Sequence, residues 1–377
     1  MKNYWNSLIR TLLFMLDQPT WLLLLLAMGL MSLVYAGKTV WDLPVAVVDL
    51  DKSNISRELI RSLNATPKIE IKSYNNLPEA RNDLIRRKLF AVVLVPVDFE
   101  KKILHGEHVI LPVYGDATNR LPNGQIQQDV IATYQHILND YNNKILLRAG
   151  FSQSQADLVL QPVKKQTVDL FNPGISYAAI IFPGLLVMLL QHSLLIAFVR
   201  VSIAVRSIGK LTLSEYAGAL SALIPVWLFL SVVMFILWPW VLGYRQSATI
   251  AEIILLTFPF LISVMGLGKF LTECLRKVEL IYLSLSFMTM PVFYISGTIW
   301  PLQAMPAWVR GVSLSLPSTW GVKMITGINQ MDLRFSDVIH DMLMMLLLGA
   351  VYALSGYLLS IIRDSAKARS IFKKMRF

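Results

Sequence analysis

The chain has 377 residues, 55% of them hydrophobic and 16% charged, with a mean hydropathy of +0.55. Soluble globular domains carry about a quarter of their residues as charges, so this composition excludes one and indicates a membrane protein. The formal net charge of +11 does not argue for nucleic-acid binding, because a basic excess counts only by where it lies, and here it lies in short loops and the tail.

Residues 1–19 place Asn3, Asn6, Ser7, Arg10 and Asp17 on one helical face, with Tyr4, Trp5, Leu8, Leu12, Leu13 and Leu16 on the rest. This pattern predicts an interfacial helix on the cytoplasmic surface. The first span is predicted at 20–36. Its end, VYAGK, resembles a signal-peptidase site at Val34 and Ala36, but the leader is long, aromatic and contains Pro19, so it is expected to stay attached.

From 37 to 174 the composition is that of a soluble domain. β-like runs (VAVVDL, KIEIKSY, FAVVLVP, VILPVYG) alternate with helical ones, the rhythm of a small mixed α/β sheet. Ser53 is the expected N-cap of the first of these helices. Topology between the first two spans places the domain outside the cytoplasm. His105 and His108 lie in HGEH without a third ligand nearby, so no metal is expected there.

The second span, 175–204, carries Gln191 and His192 near mid-membrane, where polar groups face a bundle interior or cavity. Either a satisfied interhelical histidine or a ligand for substrate or protons fits that position. A short basic hairpin, 205–218, follows with Arg206 and Lys210, and Ser214 and Glu215 open the next helix. The third span, 219–242, contains Pro225 and Pro239 and ends in WPW, an aromatic belt. The fourth, 250–271, carries Pro259 and the pair Gly266 and Gly268, small residues that permit close helix approach. GLGK here and SIGKL at 207–211 lack the remaining residues of a phosphate loop, so no nucleotide site is expected in this chain.

The fifth span, 280–299, sets Phe287, Met288, Thr289 and Tyr294 in a soft, polarisable surface suited either to varied apolar ligands or to ordinary packing. Past Pro291 it meets Ser296 and Gly297, then Pro301 and Pro306, where an ordinary helix cannot continue. Such irregular backbone at membrane depth must be buried in protein or line a cavity. The segment 300–337, with Trp308, is predicted to dip back and to end at Pro317 and Trp320 before a loop to the sixth span, 338–362. A basic tail, 363–377, closes the chain. The tail, the 205–218 link and the turn at Arg276 and Lys277 are all basic, which by the positive-inside rule makes both termini cytoplasmic. The single cysteine, Cys274, excludes an intrachain disulfide.

Six spans, a large domain between the first two, and the pattern Pro291, Ser296, Gly297, Pro301, Pro306, Trp308 with a later Pro317 resemble the ABC-2 type permease family of bacterial exporters. The resemblance implies a helical membrane bundle with an inserted extracytoplasmic α/β domain, located in the bacterial inner membrane. It also implies a chain that is not itself an enzyme: ATP and Mg would be bound by separate cytoplasmic ATP-binding subunits docking on the hairpin, through Arg206, Lys210, Ser214 and Glu215. The family's hairpin commonly reads E-x-E-x-G-T, and this chain carries RSIGK instead. A second permease chain, identical or different, would complete a dimer, often beside a periplasmic membrane fusion protein, and no nucleic acid would be involved. The expected activity is efflux of amphiphilic or hydrophobic, drug-like or lipid-like molecules by alternating access. The path would run between the second and fifth spans, by Gln191, His192, Phe287, Met288, Thr289 and Tyr294, and the segment from Pro291 to Pro317 would be the outer gate. A membrane receptor or scaffold using the α/β domain to bind a ligand or protein is the alternative, but it leaves the kinked spans unexplained.

Overall fold

A computed structural model describes residues 2–17, 19–35, 42–162, 177–208, 212–243 and 246–364. Lys210 and the tail beyond Asp364 lie outside them. The chain divides into two compact units, Met1–Lys38 with Leu170–Phe377, and Thr39–Asp169.

Helix α1 (Lys2–Asp17) turns through a 3-10 turn, Thr20–Leu22, into α2 (Leu23–Tyr35), and the two helices are bent by 58°. Trp5, Ile9, Leu13 and Leu16 of α1 are exposed, the outward apolar face that an interfacial helix requires. The bend is held by its own polar groups: Trp21 Nε1 donates to the Met15 carbonyl at 3.1 Å, and Arg200 donates to Thr20 Oγ1 at 2.8 Å.

The unit Thr39–Asp169 holds a four-stranded sheet of β1 (Leu43–Asp49), β2 (Ile69–Tyr74), β3 (Ala91–Val95) and β4 (Val113–Gly115), in the order β2-β1-β3-β4. β1 pairs in parallel with β2 and β3, and β4 runs antiparallel to β3. All four β-like runs of the sequence are strands. Val45 and Val47 face one core with Leu59 of α3 (Asn54–Asn64), whereas Ala46 and Val48 face another with Ala80 of α4 (Leu77–Ile85). Burial on both faces is why the central strands read as continuous apolar runs. Ser53 caps α3 by accepting the Ser56 N–H. Three further helices complete the unit: α5 (Phe99–Leu104), α6 (Arg120–Arg148) and α7 (Gln153–Leu160). Burial at Asp51 pushes its carboxyl pKa up, but hydrogen bonds from Ser53 and from the Glu100 and Phe99 N–H groups outweigh this and hold it below the usual range.

The unit formed by Met1–Lys38 and Leu170–Phe377 continues with α8 (Tyr177–Ile208). A span then built of α9 (Leu213–Ser221), α10 (Leu223–Val232), a π-helical turn at Val233–Leu237 and α11 (Trp238–Leu242) leads to α12 (Ile250–Leu275) and α13 (Val278–Ile295). Next come α14 (Ala307–Leu314), α15 (Pro317–Met331) and α16 (Phe335–Asp364). Among the described residues, five helices are long and apolar enough to cross a bilayer, or six if the bent pair at the N-terminus counts as one span.

Several boundaries move from those predicted. The hairpin expected at 205–218 shrinks to the link between Ile208 and Leu213, because Thr212 and Glu215 form a reciprocal capping box that starts two residues before Ser214. The fifth span stops at Ile295 rather than 299, where Gly297 takes a left-handed φ of +94°. Pro317 does not end a segment but starts α15, since proline lacks only an N–H that the first helical turn leaves unused. The predicted loop before the sixth span is therefore mostly helix.

α12 and α16 approach through glycines. A Cβ on Gly266 would overlap the Gly349 carbonyl, and one on Gly349 would lie 2.8 Å from Ser263 Cα, so the neighbours are backbone and cannot rotate away. Gly349→Val is expected to lower the thermal unfolding midpoint in detergent, at a cost of about 1–3 kcal/mol or more. Gly311→Ala, which meets nothing within 4 Å, should change it little; equal midpoints for the two variants would contradict this packing.

Candidate functional site

A cavity of about 530 Å³ lies at the break after α13, between the first turns of α8, the 296–303 segment and α15. Three predicted gate residues, Ser296, Gly297 and Pro301, line it. The irregular backbone is satisfied locally: Ser313 Oγ donates to the Ile295 carbonyl at 2.6 Å, Ser296 Oγ to the Phe293 carbonyl at 2.8 Å, and Tyr352 to the Ser315 carbonyl at 2.7 Å. Trp320 Nε1 reaches the Leu314 carbonyl at 2.7 Å. A Cβ on Gly297 would sit 3.3 Å from Leu302 Cγ, so the constraint there is its backbone angle more than its space.

The polar lining comes from residues that the sequence reading passed over: Thr298, Gln303, Lys323, Thr326 and Gln330. Gln330 Nε2 donates to the Ala179 carbonyl at 3.1 Å, the acceptor that Pro183, four residues on and without an N–H, leaves open in α8. Lys323 donates to the buried Asp341 of α16 at 2.8 Å and lies 5.7 Å from the Trp320 ring centroid. Gly184 faces Thr298 so closely that α8 and the break share one wall. Pro291, Pro306 and Trp308 are exposed and do not line the cavity, while Pro317 is buried at the start of α15.

Of the expected path residues, His192 and Thr289 come together. Thr289 Oγ1 is 2.9 Å from His192 Nε2, and His192 Nδ1 is 3.0 Å from the Met188 carbonyl. Thr289 Oγ1 also donates to the Leu285 carbonyl at 2.7 Å, and these contacts join α8 to α13 through His192. Gln191 is buried, and among the described residues its Oε1 has no hydrogen-bond partner. Phe287, 70% exposed, with Met288 and Tyr294 lies on the open side of α13, apart from the cavity. Among the described residues no cluster of His, Cys, Asp and Glu could hold a metal.

At the other end of α8, Arg206 pairs with Glu273 of α12, which is 1% exposed and also takes Lys269 at 2.7 Å and Arg276 at 3.5 Å. Arg363 of α16 donates to the Glu273 and Cys274 carbonyls at 2.7 and 3.3 Å. One carboxylate thus ties together the ends of α8 and α12, with α16 beside it. Neighbouring it in the fold, a crevice of about 380 Å³ between α1, α8 and α9 is lined by Asn6, Ser7, Arg10, Ser207 and Glu215. Ser7 Oγ donates to the Glu215 carbonyl at 2.7 Å. At the tip of this hairpin Ser214 is exposed, and Leu213 is 85% exposed, an apolar side chain left open at the start of α9. Glu273→Ala removes the carboxylate that three partly exposed cations share, an expected loss of about 1–2 kcal/mol read as a lower unfolding midpoint, since solvent screens the cations left behind. An unchanged midpoint would show the ion cluster to be incidental.

Comparison with known proteins follows the same geometry. Residues 19–358 match the family described as ABC-2 family transporter protein. The chain is 26% identical over 291 residues to ABC transporter G family member 20 of Dictyostelium discoideum, covering 74% of this chain and 39% of that protein's length. It is 21% identical over 325 residues to Linearmycin resistance permease protein LnrN of Bacillus subtilis (strain 168), covering 78% of this chain and 82% of the relative. With its apolar spans and a match over most of its length, the chain is a multi-pass membrane protein that belongs to the ABC-2 transporter family.

Proposed function

We propose that this chain is the permease subunit of an ATP-driven exporter that moves amphiphilic or hydrophobic molecules outward across a bacterial inner membrane. The observation that carries the reading is that α8 runs from the cavity at the broken segment to the basic joint at Glu273 and the α1–α9 crevice. A push on the hairpin at one end therefore reaches the cavity at the other through one continuous helix. In this reading the termini are cytoplasmic, the Thr39–Asp169 unit is extracytoplasmic, and ATP and Mg are bound by separate cytoplasmic subunits that dock around Leu213, Ser214 and Lys210. Closure of those subunits would tilt α8 and open the segment around Gly297 as the outer gate, alternating access to the cavity. The open apolar face of α13, with Phe287, Met288 and Tyr294, is the surface on which a second permease chain would complete the substrate path. A periplasmic fusion protein would meet the α/β domain. The Bacillus relative is named for resistance to linearmycin, which supports outward movement of a harmful compound.

The mixed lining of the cavity, with one ammonium group neutralised by Asp341 among amides and hydroxyls, suits a substrate with a neutral polar part and an apolar part. Leu213→Asp places a charge on the exposed hairpin tip without touching the core. Extraction in a mild detergent is expected to recover an ATP-binding subunit with the native chain and several-fold less of it with Leu213→Asp at equal expression. Absence of any ATPase from the native preparation would overturn the reading.

A further inference from the structure

A second groove, of about 380 Å³, opens among α8, α9, α12 and α16. Its floor is the glycine contact: Gly266 and Gly349 bring α12 and α16 together, and Ala350 and Ala353 beside them leave a trough rather than a ridge. The walls are apolar, with Phe198, Leu220, Met265 and Leu346 among them. From Ile262 to Lys269 the trough follows α12 for about 10 Å at 1.5 Å per residue.

One end is chemically different. Lys269 lies at the rim with Tyr216 and Tyr357, amphipathic rings of the kind that sit at a membrane–water interface. The Lys269 ammonium and the Arg206 guanidinium share one oxygen of Glu273, and the Arg363 guanidinium lies on the adjoining carbonyls. Arg276 pairs with the second oxygen of Glu273, so four cations and one carboxylate gather at the head of the apolar trough. Basic pockets between membrane helices attract anionic headgroups, at about 1 kcal/mol for each cation near the surface.

We infer that this groove is a binding site for one anionic phospholipid, with an acyl chain along the trough over Gly266 and Gly349 and the phosphate at Lys269. A lipid seated there would bridge α12 and α16 beside the joint that holds Arg206, and so would stiffen the end of α8. This site is distinct from the cavity at the break, and its occupancy does not depend on which molecule the chain transports.

The full chain, purified in an uncharged detergent, is titrated with dioleoylphosphatidylglycerol or dioleoylphosphatidylcholine, reading the unfolding midpoint and the lipid retained in native mass spectra. The anionic lipid should raise the midpoint by about 2–4 °C at saturation and be retained in preference to the zwitterionic one. Lys269→Gln should weaken phosphatidylglycerol binding about fivefold, while Lys269→Arg keeps it. Ala353→Phe, which fills the trough away from the ion cluster, should abolish retention of the lipid while leaving the elution volume unchanged. Equal binding of the two lipids overturns the inference, as does undiminished lipid retention by Ala353→Phe. A shift of that variant to a smaller oligomer with lipid retention unchanged would assign the groove to a second copy of the chain instead.

Discussion

In hydrocarbon a carbonyl that loses its helical partner has no water to turn to, and this constraint shapes the membrane unit more than any other. The chain breaks its helices often, and each break that positions the site is repaired by a side chain from elsewhere. Pro183 leaves the Ala179 carbonyl open, and Gln330 of α15 fills it. Pro239 does the same to Phe235, within the π turn, and Gln246 donates to that carbonyl at 2.7 Å. Ser313 closes the end of α13 in the same way. Two of the repairs are also ties: Gln330 fastens α8 to α15, and Ser313 fastens α13 to α14.

This explains why a cavity persists at the 296–303 break instead of collapsing. Gln330, Thr298 and Lys323 are each held by a specific partner, so the polar lining is fixed by the same bonds that satisfy the backbone. At the opposite end the logic is ionic: a carboxylate out of water needs paired cations, and Glu273 has them from α8 and from its own helix. α8 is bonded at both ends, and His192 adds a third tie, to α13, along its length. A helix fixed at separated points to different neighbours moves them together when it moves.

Much of this was legible in the sequence where the signal is local. The two valine-rich runs became the central strands β1 and β3 because a strand buried on both faces advertises itself in its own residues. Ser53 as a cap and Gly266 as a close-contact position were legible for the same reason. The partner of Gly266 was not, since Gly349 lies on a helix far along the chain. Pro317 misled because proline is equally at home after one helix and at the start of the next. Thr212 with Glu215 is a capping box visible as T-x-x-E, yet the basic residues before it suggested a longer loop. Gln330 and the Glu273–Arg206 pair could not be found from sequence, because what makes each necessary is a group on a different helix. The family pattern marked the break as a special segment but did not disclose that α15 supplies half of the polar side chains around it.

The central claim is that the cavity at the break belongs to a transport cycle driven from the other end of α8. With Cys274 replaced by serine, Thr326→Cys puts a single thiol in that cavity. Its reaction with a membrane-impermeant maleimide applied to the outside of intact cells, with and without depletion of ATP, reads the gate directly. The account requires the labelling rate to change several-fold between the two conditions. A thiol that reacts at the same rate in both would contradict it.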